Sequence, residues 1–271
     1  MAKTTRLTTL VLALVLAPTL ALAQLGIYRP QNPATGERYN VEFSYGWWDP
    51  SPAITIANSA LDLVGTEIDG VADLGFERNK IRDLHLVLRP ARKHKIRFEY
   101  LPIGYTAEAV LTRTVSFGGD SYTLGLPVAS TLNWKAYRFG YEYDFLYRDQ
   151  GYLGVIGSVE YAQVRASLTS QLASGSIDER KPIPAIGATA RGYLARNLSM
   201  TGEVSWFKLP NGLIQNTSGH YVDYDVYATL NFSNNVGVQG GFRSRDAWFN
   251  ASDTTANLQL KGWYFRGVVR F

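Results

Sequence analysis

The chain has 271 residues, 46% hydrophobic and 18% charged, with 17 Tyr, 12 Phe and 6 Trp. That is too apolar and aromatic for a disordered protein, and the length suits one large domain. With no Cys, disulfides, thiol nucleophiles, iron–sulfur clusters and Cys-ligated zinc are excluded, and a formal charge of +4 is too small for a nucleic-acid partner.

Residues 1–23 start with Lys3 and Arg6, run through an apolar stretch from Leu10 to Leu16, break at Pro18 and end in Ala21-Leu22-Ala23. This is the pattern of a secretory signal with a small-x-small cleavage site, and its apolar run is short of the ~20 residues a spanning helix needs. Gln24 is not Cys, so no lipoprotein anchor is expected. Loss of Lys3 and Arg6 with the signal lowers the charge from +4 to +2. Residues 24–37 read as a short periplasmic segment and residues 38–271 as one β domain.

From Val41 onward apolar residues recur at every second position, the period of a strand. Val41, Phe43, Tyr45 and Trp47 share one face and Glu42, Ser44 and Gly46 the other. Leu84, Leu86 and Leu88 oppose Asp83, His85 and Arg89, while Ile96, Phe98 and Tyr100 oppose Arg97 and Glu99. The alternation is clearest from Tyr137 to Phe145, where Arg138, Gly140, Glu142 and Asp144 intervene. It continues through Leu153–Leu168, Ile183–Leu194, Leu198–Leu209, Tyr221–Phe232, Val236–Ser244 and Leu258–Phe271, giving ten strands. Eight strands, or twelve if Leu61–Lys80 adds a spanning pair, are the other counts.

Short connections, at Pro90–His94, Arg148–Gly151, Ala195–Asn197 and Ser233–Asn235, alternate with long ones. The long ones are Trp48–Lys80, Ala107–Ser130, Thr169–Pro182, Pro210–His220 and Arg245–Ala256, with Gly118-Gly119-Asp120 marking a hairpin tip in the second. Tight turns on one side and long loops on the other suit a closed antiparallel transmembrane barrel with periplasmic turns and extracellular loops. Alternation alone fits a soluble barrel equally well. The export signal, the turn asymmetry and the aromatics near strand ends favour the membrane: Trp47, Trp48, Tyr147, Tyr152, Trp206, Phe207, Phe232 and Trp263 are candidates for interfacial girdles.

The ending from Gly262 to Phe271, with Trp263, Phe265, Val269 and a terminal Phe271, resembles the last strand of Gram-negative outer-membrane proteins. Across the mature chain the sequence is similar to small, porin-like outer-membrane β-barrels. The resemblance implies an outer-membrane location and contact with lipopolysaccharide. It also implies assembly by the barrel assembly machinery with periplasmic chaperones, with Trp263, Phe265, Val269 and Phe271 as the assembly signal. A monomer is expected.

With the greasy face in lipid, alternation sends Arg89, Arg97, Arg138, Arg191, Arg243, Arg266 and Arg270 into the lumen, against Glu42, Asp83, Glu99, Glu142, Asp144, Glu160, Glu203, Asp223 and Asp225. His85 joins them. Near-balanced charge in so narrow a barrel predicts paired networks, because an unpaired ion there carries a heavy desolvation cost. The expected role is therefore structural, or passive passage of small solutes or ions. His94, between Lys93 and Lys95, reads as a solvated turn residue. His220 at the outer rim, near Ser218, Asp223 and Asp225, is the one candidate for a surface hydrolase. Neither the spacing of omptin-type proteases nor that of lipid A deacylases is present. A loop-mediated adhesin or receptor is a third class. Glu67, Asp69 and Asp73 lack EF-hand spacing, so no metal and no cofactor is expected.

Overall fold

The computed structural model describes residues 34–58, 66–214, 217–251 and 254–271. The predicted signal, 1–23, and residues 24–33 lie outside the described residues. Ten long strands form the wall: β1 (Val41–Asn58), β2 (Ile81–Ala91), β3 (His94–Val110), β4 (Pro127–Arg148), β5 (Gly151–Thr169), β6 (Ser174–Ala195), β7 (Leu198–Ile214), β8 (Thr217–Asn231), β9 (Val236–Ala251) and β10 (Thr254–Arg270). Each pairs antiparallel with its neighbours in sequence. β1 pairs with β10 from Glu42 opposite Arg270 to Asn58 opposite Thr254, so the sheet closes. At that seam a Cβ on Gly46 would stand 1.9 Å from the Phe265 carbonyl oxygen, so only glycine permits the close approach.

The alternation points as predicted. Phe139 (61% exposed), Tyr141, Phe145, Val159, Phe265 and Trp263 (68%) face outward, while Asp144, Glu142, Glu160 and Arg243 are buried inside. A strand-built wall can enter a bilayer only when closed, because hydrocarbon offers no partner to an open edge.

Two details of the sequence reading are corrected. Adjacent strand residues point to opposite sides, so Trp47 and Trp206 face outward whereas Trp48 is fully buried and Phe207 half-buried. The Trp48 indole N–H donates to the Gly262 carbonyl at 3.1 Å inside the barrel, and Tyr152 is likewise buried. Secondly, the Thr169–Pro182, Pro210–His220 and Arg245–Ala256 segments are mostly strand: β5 runs to Thr169 and β6 begins at Ser174, β7 ends at Ile214 and β8 begins at Thr217, and β9 ends at Ala251. The length asymmetry between the two barrel ends is real, but on these hairpins strands that outrun the bilayer carry it. The expected tip at Gly118-Gly119-Asp120 is present: Val115–Phe117 and Asp120–Tyr122 form a two-stranded hairpin, separate from the barrel sheet, turning at Gly118 and Gly119, both at positive φ. Its Val115, Phe117 and Tyr122 are buried, and the Tyr122 hydroxyl donates to the Leu168 carbonyl at 2.9 Å, so the hairpin packs against the barrel's outer end. Within Leu61–Lys80 the described residues contain one short strand, Ile68–Asp69, paired to β1 at Thr55 and Ile56, and add no spanning pair.

Candidate functional site

From the periplasmic end outward, the lumen is built in three layers. The first is a plug made by residues 34–40, just before β1. The Thr35 amide donates to the Arg196 carbonyl at 2.8 Å, and Asn231 donates its side-chain amide to the Thr35 carbonyl at 2.7 Å. Gly36 sits at φ 83 beneath Arg270 and Asn231, where a Cβ would come within 2.7 Å of the guanidinium. Glu37 is thereby buried and pairs with Arg191 at 2.9 Å and Arg89 at 3.7 Å. Burial alone would raise the Glu37 carboxyl; Arg191 foremost, with Tyr193, Arg89 and Lys95 in support, outweighs it and holds the group below its ordinary 4.5. The sequence reading placed Glu37 at the end of the periplasmic segment 24–37, and nothing in its local pattern marks it as a lumen group.

The second layer is ionic. At its centre three guanidinium groups interlock with three carboxylates drawn from five strands. Arg138 meets Glu99 (3.5 Å), Glu160 (3.0 Å) and Asp223 (2.8 Å). Arg243 meets Glu99 (2.7 Å) and Asp223 (2.6 Å), and Arg245 meets Glu99 (3.0 Å), Glu160 (3.3 Å) and Asp223 (3.1 Å). Toward the periplasm, Lys95 bridges Glu142 (2.6 Å) and Asp144 (3.0 Å), and Arg97 joins Glu142 (2.8 Å) to Glu203 (2.7 Å). Arg266 holds Asp83 at 2.7 Å and lies 3.5 Å from Asp225, while Arg270 holds Glu42 at 2.5 Å. Every lumen residue named from the sequence lies on the inward face. Lys95 and Arg245 were missed because both fell just beyond the expected strand ends, Lys95 between the Pro90–His94 turn and Ile96, and Arg245 at the start of a segment read as a loop. With Glu37 they bring the inward charges to near balance, as burial in a low dielectric requires.

Asp83, His85 and Glu99 offer ligand atoms within 4.8 Å of one another. These groups are already engaged: His85 Nε2 lies 2.7 Å from Asp83, Arg266 holds the same carboxylate, and Arg243 and Arg245 hold Glu99. The voids left in the ionic layer are small, about 50 Å³ between Arg97, Arg138 and Asp225, and about 30 Å³ around Lys95 and Glu142. Each has room for a few waters and no more.

The third layer, toward the outer end, is apolar. Leu101, Ile103 and Tyr105 keep the inward parity of Glu99, and Leu132, Trp134 and Ala136 that of Arg138. Here both faces of a strand are apolar, which the sequence signals as a run such as Tyr100-Leu101-Pro102-Ile103 in place of alternation. Trp134 and Tyr221 form the boundary. The Arg245 guanidinium carbon lies 5.7 Å from the Trp134 ring centre and 5.8 Å from that of Tyr221, and the Tyr221 hydroxyl donates to Asp223 at 3.0 Å. Above them is a cavity of about 360 Å³ lined by Leu132, Trp134, Ala162, Ile183, Phe207 and Leu258 among others.

The rim residues are dispersed. His220 is exposed and stacks on Trp248 at 5.6 Å, whereas Asp223 and Asp225 lie on the opposite, inward face of β8. His94 is not merely solvated: its Nδ1 lies 2.5 Å from the Tyr141 hydroxyl on the outer face. Asp73 accepts from Arg113 at 2.6 Å and Asp69 accepts from the amides of Val71 and Ala72, so these loop acids serve local contacts. Trp263, Phe265, Val269 and Phe271 form one outward row at the end of the chain.

No family model and no curated protein matches the chain. Similar solved structures include the outer membrane protease OmpT from Escherichia coli, at TM-score 0.53 and 9% identity over 89% of this chain and 99% of that one. The attachment invasion locus protein Ail of Yersinia pestis (TM-score 0.35, 9% identity, 84% and 99% covered) and the Pseudomonas putida toluene transporter TodX (0.37, 7%, 89% and 93%) are further examples. The likeness to OmpT is one of fold. The apolar outer belt and ionic interior give this chain a wall made to face a membrane, and its closed ten-stranded barrel is the fold of that outer-membrane protein.

Proposed function

We propose that the barrel is a sealed, non-conducting one, whose role is structural and is carried by its wall and its outward end. The observation behind this reading is the ionic layer: Arg138, Arg243 and Arg245 locked onto Glu99, Glu160 and Asp223 across the lumen, with voids of only about 50 and 30 Å³ on its periplasmic side. An ion crossing it would have to break several buried pairs at once. The same reading takes the protein as a monomer among lipopolysaccharide, delivered by periplasmic chaperones and inserted by the barrel assembly machinery. It assigns no catalytic role to His220, whose inward neighbours Asp223 and Asp225 point away from it.

Planar-bilayer recording of the refolded protein tests the proposal. Wild type is expected to give no single-channel steps, and Arg138→Ala and Glu142→Ala, which open the ionic layer, are expected to give at most brief, noisy openings. Stable ohmic steps from wild type would overturn it.

A further inference from the structure

The wall is not paired along its whole height. β6 and β7 are hydrogen-bonded from Ala195–Leu198 only as far as Ile186 opposite Trp206. Beyond that level β6 continues to Ser174 paired only with β5, and β7 continues through Leu209 paired only with β8. A seam therefore opens between two strands that are adjacent in sequence. Pro182 and Pro184 explain why. Both lie on β6 just past the last pair and continue its ladder with β5, opposite Tyr161 and Val159. Proline has no N–H to give a neighbour, so two at alternate positions make that edge a poor partner for β7.

The seam leads to the 360 Å³ cavity. Pro182, Ile183 and Pro184 on one lip and Phe207 and Leu209 on the other are among its lining. Outside, the lips carry exposed Ile186 and Trp206, with exposed Arg180 and Lys208 farther along. This order, apolar and then basic, matches the passage from hydrocarbon to headgroup, where water can satisfy the free carbonyls. Inside, Trp134 lines the cavity with an indole N–H that donates to nothing among the described residues. Below, the Arg245 layer blocks the way onward.

We propose that this cavity binds one small, uncharged, predominantly hydrocarbon molecule, with room for a single acceptor oxygen at Trp134, and that the molecule enters sideways through the β6–β7 seam. A cavity of about 150 Å³ lined by aliphatic and aromatic side chains already takes up benzene, and this one is more than twice as large. One fused aromatic or one medium alkyl chain fits, whereas a multi-chain lipid does not. The inference goes beyond the sealed-barrel reading and does not depend on it: conductance in a bilayer leaves it standing.

The probe is prodan, a neutral naphthyl ketone whose emission shifts to the blue in apolar surroundings, titrated into the full barrel in detergent. Saturable, one-to-one, blue-shifted binding is expected. Ala162→Phe with Ala247→Phe fills the cavity and is expected to weaken binding at least tenfold. Trp134→Phe, which removes the donor without emptying the site, is expected to weaken prodan but not naphthalene; each variant is first shown to be folded by heat-modifiable gel migration. Because the chain contains no Cys, Pro184→Cys with Lys208→Cys, the outward positions next in line when the Ile186–Trp206 register is continued into the seam, can be bridged by a bismaleimide and compared with the same variant unbridged. Bridging is expected to slow uptake at least tenfold. Absence of saturable binding, or binding untouched by the filled variant, overturns the site, and an unchanged rate after bridging overturns the sideways route. Displacement of prodan by diacyl phospholipid but not by 1-decanol overturns the free-ligand assignment in favour of a bilayer acyl chain.

Discussion

Glu42 and Arg270 stand opposite each other on the first and last strands, 228 residues apart, with the Arg270 Nε donating to Glu42 at 2.5 Å inside the barrel. Arg270 also donates to the Asn231 side-chain oxygen at 2.6 Å, so one buried guanidinium ties β10 to β1 and to β8. The pair lies on the closing seam, where no turn holds the two strands together. Removing either partner leaves the other buried and uncompensated. Glu42→Ala and Arg270→Ala are each expected to destabilise the barrel by about 3–5 kcal/mol. Their double variant should lose less than the sum by about 0.5–3 kcal/mol. Urea unfolding in detergent, followed by gel migration, measures both, and strict additivity would show that the two charges do not interact.

Arg245 is fully buried and meets all three central carboxylates. Arg245→Met keeps bulk against Trp134 and Tyr221 but leaves Glu99, Glu160 and Asp223 facing Arg138 and Arg243 alone. A loss of about 3–5 kcal/mol is expected, with Glu160→Gln in the same chain recovering part of it by restoring charge balance. Recovery as large from Glu67→Gln, in the outer loop, would contradict the network.

The periplasmic plug should respond to acid. Glu37 is held below its ordinary 4.5 by Arg191 and Arg89 against the opposing effect of burial, so the folded state binds its proton less readily than the unfolded chain. Its contribution is complete above about pH 4.5 and is lost as pH falls below that value. Amide exchange at Thr35 and Gly36 is expected to accelerate on acidification, relative to the intrinsic rate, and in Glu37→Gln to lose that pH dependence. A profile unchanged in Glu37→Gln would show that another group holds the plug.

The β6–β7 seam should narrow when proline is removed. Pro184→Thr restores an N–H on the free edge of a residue type that strands favour. One added backbone bond has a net worth of about 1 kcal/mol, enough to slow exchange of the nearby β7 amides about fivefold. Hydrogen exchange over Phe207–Leu209 reads the change, and no slowing would mean that the strands are held apart by something other than the prolines.

Much of this was legible in the chain. A period of two, with aromatics such as Phe139 and Tyr141 on one side and Arg138 and Glu142 on the other, determined the strands and their two faces, because a strand residue has only two directions in which to point; the leader pattern and the unequal connections then turned the greasy face toward lipid. Residues of the ionic layer could be named for the same reason, except where strand ends were misplaced, as at Lys95 and Arg245. Which carboxylate meets which guanidinium was decided only by closure: Arg245 and Glu99 are 146 positions apart, and nothing local relates them. The plug at Glu37 and the seam beyond Ile186 also belong to the tertiary structure, since each arises where a segment finds, or fails to find, a partner distant in sequence or across a strand edge. Pro182 and Pro184 stand in the sequence without saying which edge they leave free, and only the folded barrel put a cavity behind that edge.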